Sequence, residues 1–220
     1  MLTDPNDDYA RGFVPFLKAT IYLDSRPLIP RVETEYWVEK VTATLPHNHH
    51  IRVLDLFAGS GAIGVAVLKH LPNTHVTFGE LEERHLATIK KNIRENDIET
   101  ERTQVVQTDV WQHIQGTFDY ALANPPYVSR ERGTAETSTE VEPNEALYAP
   151  DDGFFYIEKF IQGLPQHLTP TGVAYVEHEP FHVKRISEVA TKHGFVAETH
   201  TDQYGMARFT ALRYAVPLRF

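Results

Sequence analysis

From residue 51 onward the chain alternates between short apolar runs and amphipathic stretches. IRVLDLF at 51–57 is a continuous apolar run that ends at the turn Gly59-Ser60-Gly61, and GAIGVAVLKHL at 61–71 follows with helical character and stops at Pro72. HVTFGE at 75–80 predicts a second strand. The charged segment 82–96, with Leu86, Ile89 and Ile93 at helical spacing, predicts a second helix. TQVVQTD at 103–109 and FDYALAN at 118–124 supply two further strands. This alternation predicts an α/β fold built on a parallel sheet with helices on both faces. Farther on, 154–168 reads as a helix, 172–178 as a strand and 182–193 as a helix ended by Gly194. FVAETH and FTALRYAV then predict an antiparallel hairpin at one edge of the sheet.

Two stretches break the pattern. Residues 129–145 (SRERGTAETSTEVEPNE) are polar and nearly aperiodic, which predicts a long loop of the kind that is usually functional or disordered. Residues 1–30 hold too few apolar positions for a domain of their own, so they read as a short extension ahead of one domain at 31–220. Within that domain Trp37, Val38, Val41 and Leu45 read as the core face of a helix.

Composition narrows the function classes. The 220 residues suit one large domain. With 21 Lys and Arg against 30 Asp and Glu, the formal charge is -9, so the surface as a whole repels phosphate backbones and a nucleic-acid partner is not expected. No cysteine occurs, which excludes disulfides, thiolate zinc sites and cysteine nucleophiles. The sequence has neither a membrane-length apolar run nor a signal-like start, so the expectation is a cytoplasmic protein with no membrane partner.

The turn Asp55-Leu56-Phe57-Ala58-Gly59-Ser60-Gly61 lies between a buried strand and a helix, where glycines let the backbone turn tightly and approach a ligand. Glu80 ends the next strand, where a carboxylate can accept from both ribose hydroxyls. The pair points to an adenosine-containing ligand. Gly59, Gly61 and Gly64 satisfy G-x-G-x-x-G, yet that spacing does not separate a nicotinamide cofactor from S-adenosylmethionine. Asp109, at the end of the third strand, suits the adenine amino group or a structural turn.

A second motif, Asn124-Pro125-Pro126-Tyr127, follows the fourth strand and would face the same crevice. Asn124 offers a carboxamide oxygen. The prolines contribute no N–H and leave the Pro125 carbonyl as a second acceptor, while Tyr127 supplies a flat face. Two adjacent acceptors suit an NH2 group whose lone pair is delocalised, because they orient the nitrogen and favour the charge it gains on attacking a methyl sulfonium.

Other signals are weaker. His47, His49 and His50 read as a solvated loop, not a metal site. Arg130-Glu131-Arg132 reads as solvated, with an acidic substrate as the alternative. Arg31 and Glu33 either close over the cofactor or pair with one another at a helix start.

In these residues the sequence resembles the class I S-adenosylmethionine-dependent methyltransferases, and more narrowly the protein-(glutamine-N) methyltransferases that modify peptide chain release factors. Leu28 to Glu35 (LIPRVETE), Asp55 to Gly61, Asn124 to Tyr127, and Glu142 to Leu147 (EPNEAL) followed by Asp151-Asp152-Gly153 carry the match, which runs from about residue 20 to the carboxyl end. The resemblance implies a Rossmann-like, seven-stranded, mostly parallel sheet with an antiparallel last strand. It implies S-adenosylmethionine contacts from Phe57, Ala58, Gly59, Ser60, Gly61, Glu80, Asp109, Val110 and Asn124, with Asn124, Pro125, Pro126 and Tyr127 gripping a glutamine, and no metal. Val32 stands where the family usually has proline, and Glu179 where glycine is common. The helical domain that ordinarily precedes this catalytic domain has no counterpart in the sequence, which implies a minimal member or a changed protein substrate.

Two rival functions follow from the same motifs. One is a ribosomal RNA or DNA amino methyltransferase acting on guanine or on a flipped adenine; the net charge and the LIPRVETE and EPNEAL segments count against it. The other is a non-catalytic binding module, against which the intact Gly59, Gly61, Glu80 and Asn124 count.

Overall fold

The computed structural model describes residues 5–47, 49–132 and 141–215. Its elements are α1 (Pro5–Arg11), β1 (Phe13–Phe16), β2 (Ala19–Tyr22), α2 (Val32–Thr44), β3 (Ile51–Leu56), α3 (Ala62–His70), β4 (Thr74–Glu80) and α4 (Glu83–Glu95). These are followed by β5 (Thr103–Gln107), β6 (Phe118–Ala123), α5 (Asn144–Leu147), α6 (Phe155–His167), β7 (Leu168–Glu177), α7 (Val183–Lys192), β8 (Phe195–Thr201) and β9 (Ala207–Tyr214).

The seven strands β3–β9 form one sheet in the order β5-β4-β3-β6-β7-β9-β8. Pairings within β5-β4-β3-β6-β7 are parallel, whereas β9 runs antiparallel to β7 and β8. The predicted fold class therefore holds. So does the closing hairpin, with β9 inserted beside β7 and β8 left at the edge.

Buried side chains cover both faces of the central strands, as their continuous apolar runs require. On one face Val53, Val76, Phe78 and Leu122 pack with Trp37, Val38 and Val41 of α2, Val65 of α3 and Ile89 of α4. On the other, Leu54, Leu56, Ala121 and Val176 pack with Phe160, Ile161 and Leu164 of α6 and Ile186 of α7. The front of the chain is more structured than its composition suggests. β1 and β2 pair as a small hairpin whose Val14, Phe16, Ala19 and Ile21 enter the first of these cores. Asn92 of α4 and Asn96 just after its end hold it by accepting from the Tyr22 and Thr20 amides at 2.7 and 3.0 Å.

The long polar loop also needs correction. Val128 bridges to Tyr148, Glu142 is buried and 144–147 form a helical turn, so both ends of 129–145 are anchored; residues 133–140 lie outside the described residues.

Candidate active site

β3, β4 and β6 are parallel neighbours, so their carboxyl ends converge where the chain reverses direction across the sheet. An open cleft lies there, lined by Phe57, Gly59, Glu80, Asp109, Asn124 and Tyr156.

The glycine turn forms its floor. Gly59 and Gly61 adopt φ of 55° and 79°, the left-handed region that a Cβ disfavours. At Gly64 an added Cβ would lie 2.3 Å from the Phe78 ring, so this third glycine lets α3 close on β4. Beneath the turn Asp55 is completely buried, and its Oδ2 accepts from the Gly64 N–H at 2.9 Å while Oδ1 has no partner among the described residues. Burial lifts its carboxyl to about 8, against the opposing Gly64 hydrogen bond and with a further push from the Glu80 charge.

Glu80 closes one end of the cleft. Its Oε2 accepts from the Gly59 N–H at 2.6 Å and its Oε1 from the Glu82 N–H at 2.9 Å, which fixes the carboxylate with lone pairs left for a ligand. Burial raises its pKa, and these two amides pull it back. Across the cleft the Thr108 hydroxyl donates to the Val110 carbonyl at 3.0 Å and accepts from the His113 N–H, which pins the Asp109-Val110 turn. Phe57 and Val110 carry φ of 65° and 50°. For side chains of this bulk such angles are strained, at roughly 1–3 kcal/mol each.

Of the residues expected to bind the cofactor, Phe57, Gly59, Glu80, Asp109, Val110 and Asn124 all border this one cleft. Ala58, Ser60 and Gly61 do not border it; they are buried and shape the turn. The Ala58 N–H bonds to the Gly79 carbonyl at 3.0 Å, and the Ser60 carbonyl accepts from Asn92. Pro126 borders the cleft beside Asn124, whereas Pro125 is buried.

The sequence reading did not identify Leu28, His85 or Tyr156 as cleft residues. His85 is 3% exposed, and its Nδ1 is bonded to the Ser25 hydroxyl at 2.7 Å. Burial lowers its pKa to about 4, so it enters the cleft wall as a neutral ring. Only tertiary contact reveals such residues, because nothing in local spacing marks them.

Behind the Asn-Pro-Pro-Tyr turn lies a buried polar network. Glu177, at the end of β7, accepts from the Thr34 hydroxyl at 2.8 Å and the Trp37 indole N–H at 2.6 Å, both on Oε2, and from the Tyr127 hydroxyl at 2.7 Å on Oε1. The Asn124 Nδ2 donates to the Thr34 hydroxyl at 3.2 Å. Burial raises the Tyr127 pKa well above its ordinary value, and the Glu177 charge adds to the effect, so Tyr127 remains a donor.

The two distinctive segments clasp one another at the rim. Glu142 accepts from the Ile29 N–H at 3.0 Å and pairs with the Arg31 guanidinium. The expected alternatives for Arg31 do not include this partner; a wholly buried carboxylate needs a compensating cation more than a half-buried one such as Glu33 does. Arg132 pairs with Asp152 and covers the Phe181 ring. His47, His49 and His50 are exposed, and no cluster suited to a metal occurs among the described residues.

The family "Methyltransferase small domain" matches residues 39–142. A release factor glutamine methyltransferase from Rhodopirellula baltica is 31% identical over 214 residues, covering 93% of this chain and 72% of that protein. One from Neisseria gonorrhoeae is 30% identical over 213 residues, covering 96% and 77%. Among solved structures, the ribosomal protein L11 methylase from Lactobacillus delbrueckii subsp. bulgaricus aligns at a TM-score of 0.63 with 14% identity, covering 87% of this chain and 82% of that one. A methyltransferase from Pyrococcus furiosus aligns at 0.62 with 18% identity, covering 82% and 83%. Fold, cleft and relatives together define an S-adenosylmethionine-dependent N-methyltransferase. Within that class, the chain belongs to the release factor glutamine methyltransferase family.

Proposed function

We propose that the protein methylates the side-chain amide nitrogen of a glutamine in a peptide chain release factor, and that Asn124 and the Pro125 carbonyl hold that amide. The observation that carries the reading is the orientation of Asn124 at the cleft edge. Its Nδ2 is committed to Thr34, and Oδ1 has no partner among the described residues.

S-adenosylmethionine, when bound, supplies a methyl group on a positively charged sulfur. Glu80 would accept from the ribose hydroxyls, Asp109 from the adenine amino group, and the Phe57–Gly61 turn and Val110 would shape the rest of the site. Asn124 Oδ1 and the Pro125 carbonyl would each accept one hydrogen of the substrate amide, turning its nitrogen toward the methyl carbon. Two fixed acceptors would stabilise the positive charge that develops on that nitrogen as it takes the methyl group, without reorganising. One amide proton then leaves to solvent. Tyr127 would pack against the amide plane with Pro126.

In this reading residues 31–220 are the catalytic domain and 1–30 an extension, whose β1–β2 hairpin packs into the core. The site of action is the cytoplasm, where release factors work. Among the described residues no helix is long and apolar enough to cross a membrane. The charge of -9 favours a protein over a nucleic-acid substrate.

The test is incubation with tritiated S-adenosylmethionine and a full-length bacterial release factor, with the modified residue mapped by mass spectrometry. Methylation at one glutamine, lost in Asn124→Ala while S-adenosylhomocysteine still binds, is the expected result. Label on RNA instead, or on no glutamine in protein that binds the cofactor product, overturns it.

A further inference from the structure

We propose that Thr34 is a positioning residue that fixes which end of the Asn124 carboxamide faces the substrate, and that Glu177 sets the direction of the Thr34 hydroxyl. The inference rests on Asn124 being the substrate grip, and it adds the device that makes it an acceptor.

The logic is one of donors and acceptors. The Trp37 indole nitrogen can only donate. Its 2.6 Å contact therefore identifies Glu177 Oε2 as an oxygen without a proton. The Thr34 hydroxyl, 2.8 Å from the same oxygen, has one hydrogen and gives it to Glu177. What remains on Thr34 Oγ1 is acceptor capacity, so the Asn124 atom 3.2 Å away must be the donating nitrogen. Asn124 Oδ1 then points away from Thr34 and is free to accept.

A carboxamide has nearly isosteric ends, and in isolation nothing prevents a half-turn that would present N–H groups to the substrate. Two N–H groups facing another NH2 cannot hydrogen-bond to it. The chain Trp37 → Glu177 ← Thr34 ← Asn124 removes that half-turned state. Tyr127 donates to the other Glu177 oxygen at 2.7 Å, so the same carboxylate also anchors the last residue of the motif. Glu177 is buried and the relay runs from α2 to the ends of β6 and β7, so solvent does not compete for these bonds.

Thr34→Val keeps the branched shape and removes the hydroxyl; Thr34→Ser keeps the hydroxyl. With tritiated S-adenosylmethionine and a full-length bacterial release factor, kcat of Thr34→Val should fall by about 10²-fold, the loss expected when a reacting group is misplaced. KM for the release factor and the dissociation constant for S-adenosylhomocysteine should stay within about threefold, and Thr34→Ser should recover most of kcat. If the valine variant fails to bind S-adenosylhomocysteine, Thr34→Ala serves as the hydroxyl-deleted variant. Wild-type kcat in a hydroxyl-deleted variant, alongside an inactive Asn124→Ala, overturns the positioning role and leaves the substrate grip standing. Full activity of Asn124→Ala overturns the grip itself. Loss of kcat that Thr34→Ser does not restore assigns Thr34 to packing and also overturns the proposal.

Discussion

Arg31 and Glu142, 111 positions apart in sequence, form an ion pair whose carboxylate is wholly buried and whose guanidinium side chain is 21% exposed. Glu142 also accepts from the Ile29 amide, so this contact holds the entry to α2 against the segment that precedes α5. Arg31→Ala leaves a buried carboxylate with its backbone bond and no cation, and the expected cost is about 3 kcal/mol. Glu142→Gln keeps an acceptor for Ile29 and should cost less. Urea denaturation of both variants checks the order, and calorimetry with S-adenosylhomocysteine should show weaker binding in Arg31→Ala, because one of the two contacts that hold the segment carrying Leu28 of the cleft wall to Glu142 is lost.

Glu80 has two duties, since it fixes the Gly59 and Glu82 amides and borders the cleft. Hydrogen bonds to a charged group contribute about 1.5–3 kcal/mol each, so Glu80→Ala should weaken S-adenosylhomocysteine binding by about 10²-fold or more. An unchanged dissociation constant would remove Glu80 from the cofactor site.

Gly153 and Gly205 share a φ of 81° but differ in surroundings. A Cβ on Gly153 would sit 2.1 Å from the Tyr127 carbonyl oxygen, whereas one on Gly205 meets nothing within 4 Å. Gly205→Ala should therefore cost about 1 kcal/mol from the left-handed backbone alone. Gly153→Ala should cost several times more and should also lower methyl transfer, since relief requires the Asn124–Tyr127 turn to move. Thermal melts and single-turnover rates of the two variants test the contrast, which fails if both behave alike.

Burial raises the Asp55 carboxyl from 3.8 to about 8. The folded cofactor-free protein consequently holds a proton there that the unfolded chain has released. With the folded value above the unfolded one, this group's contribution to stability is fully present below about 4 and is lost as pH rises through about 8. Asp55→Asn removes that dependence. The unfolding free energy of the wild type minus that of the variant should decline by a few kcal/mol from acid to pH 9, measured by urea melts at several pH values. A flat difference contradicts the assignment.

Much of this architecture was legible because it is local. The apolar run Ile51–Leu56, the glycine turn behind it and the acid ending β4 mark a strand, a helix start and a cleft edge through spacing alone. The β1–β2 hairpin escaped because its strands have four residues each and Pro15 lies inside one, a residue that counts against a strand. The polar network escaped for a different reason. Thr34 lies 90 positions from Asn124 and 143 from Glu177, and only the docking of α2 over the strand ends makes them neighbours. In sequence Thr34 is one more polar residue in a helix, and Glu177 is the last residue of a strand.

The strand order carries a consequence for synthesis on the ribosome. β3 is the first strand of the large sheet to emerge, yet its two neighbours, β4 and β6, begin at residues 74 and 118. Until the second of these has left the exit tunnel, the nascent chain displays an unpaired edge beside Val53, Leu54 and Leu56. Parallel pairing of this kind forms slowly because it closes long loops. The interval between translating β3 and translating β6 thus leaves a central apolar strand open to misassociation, the condition that chaperones cover.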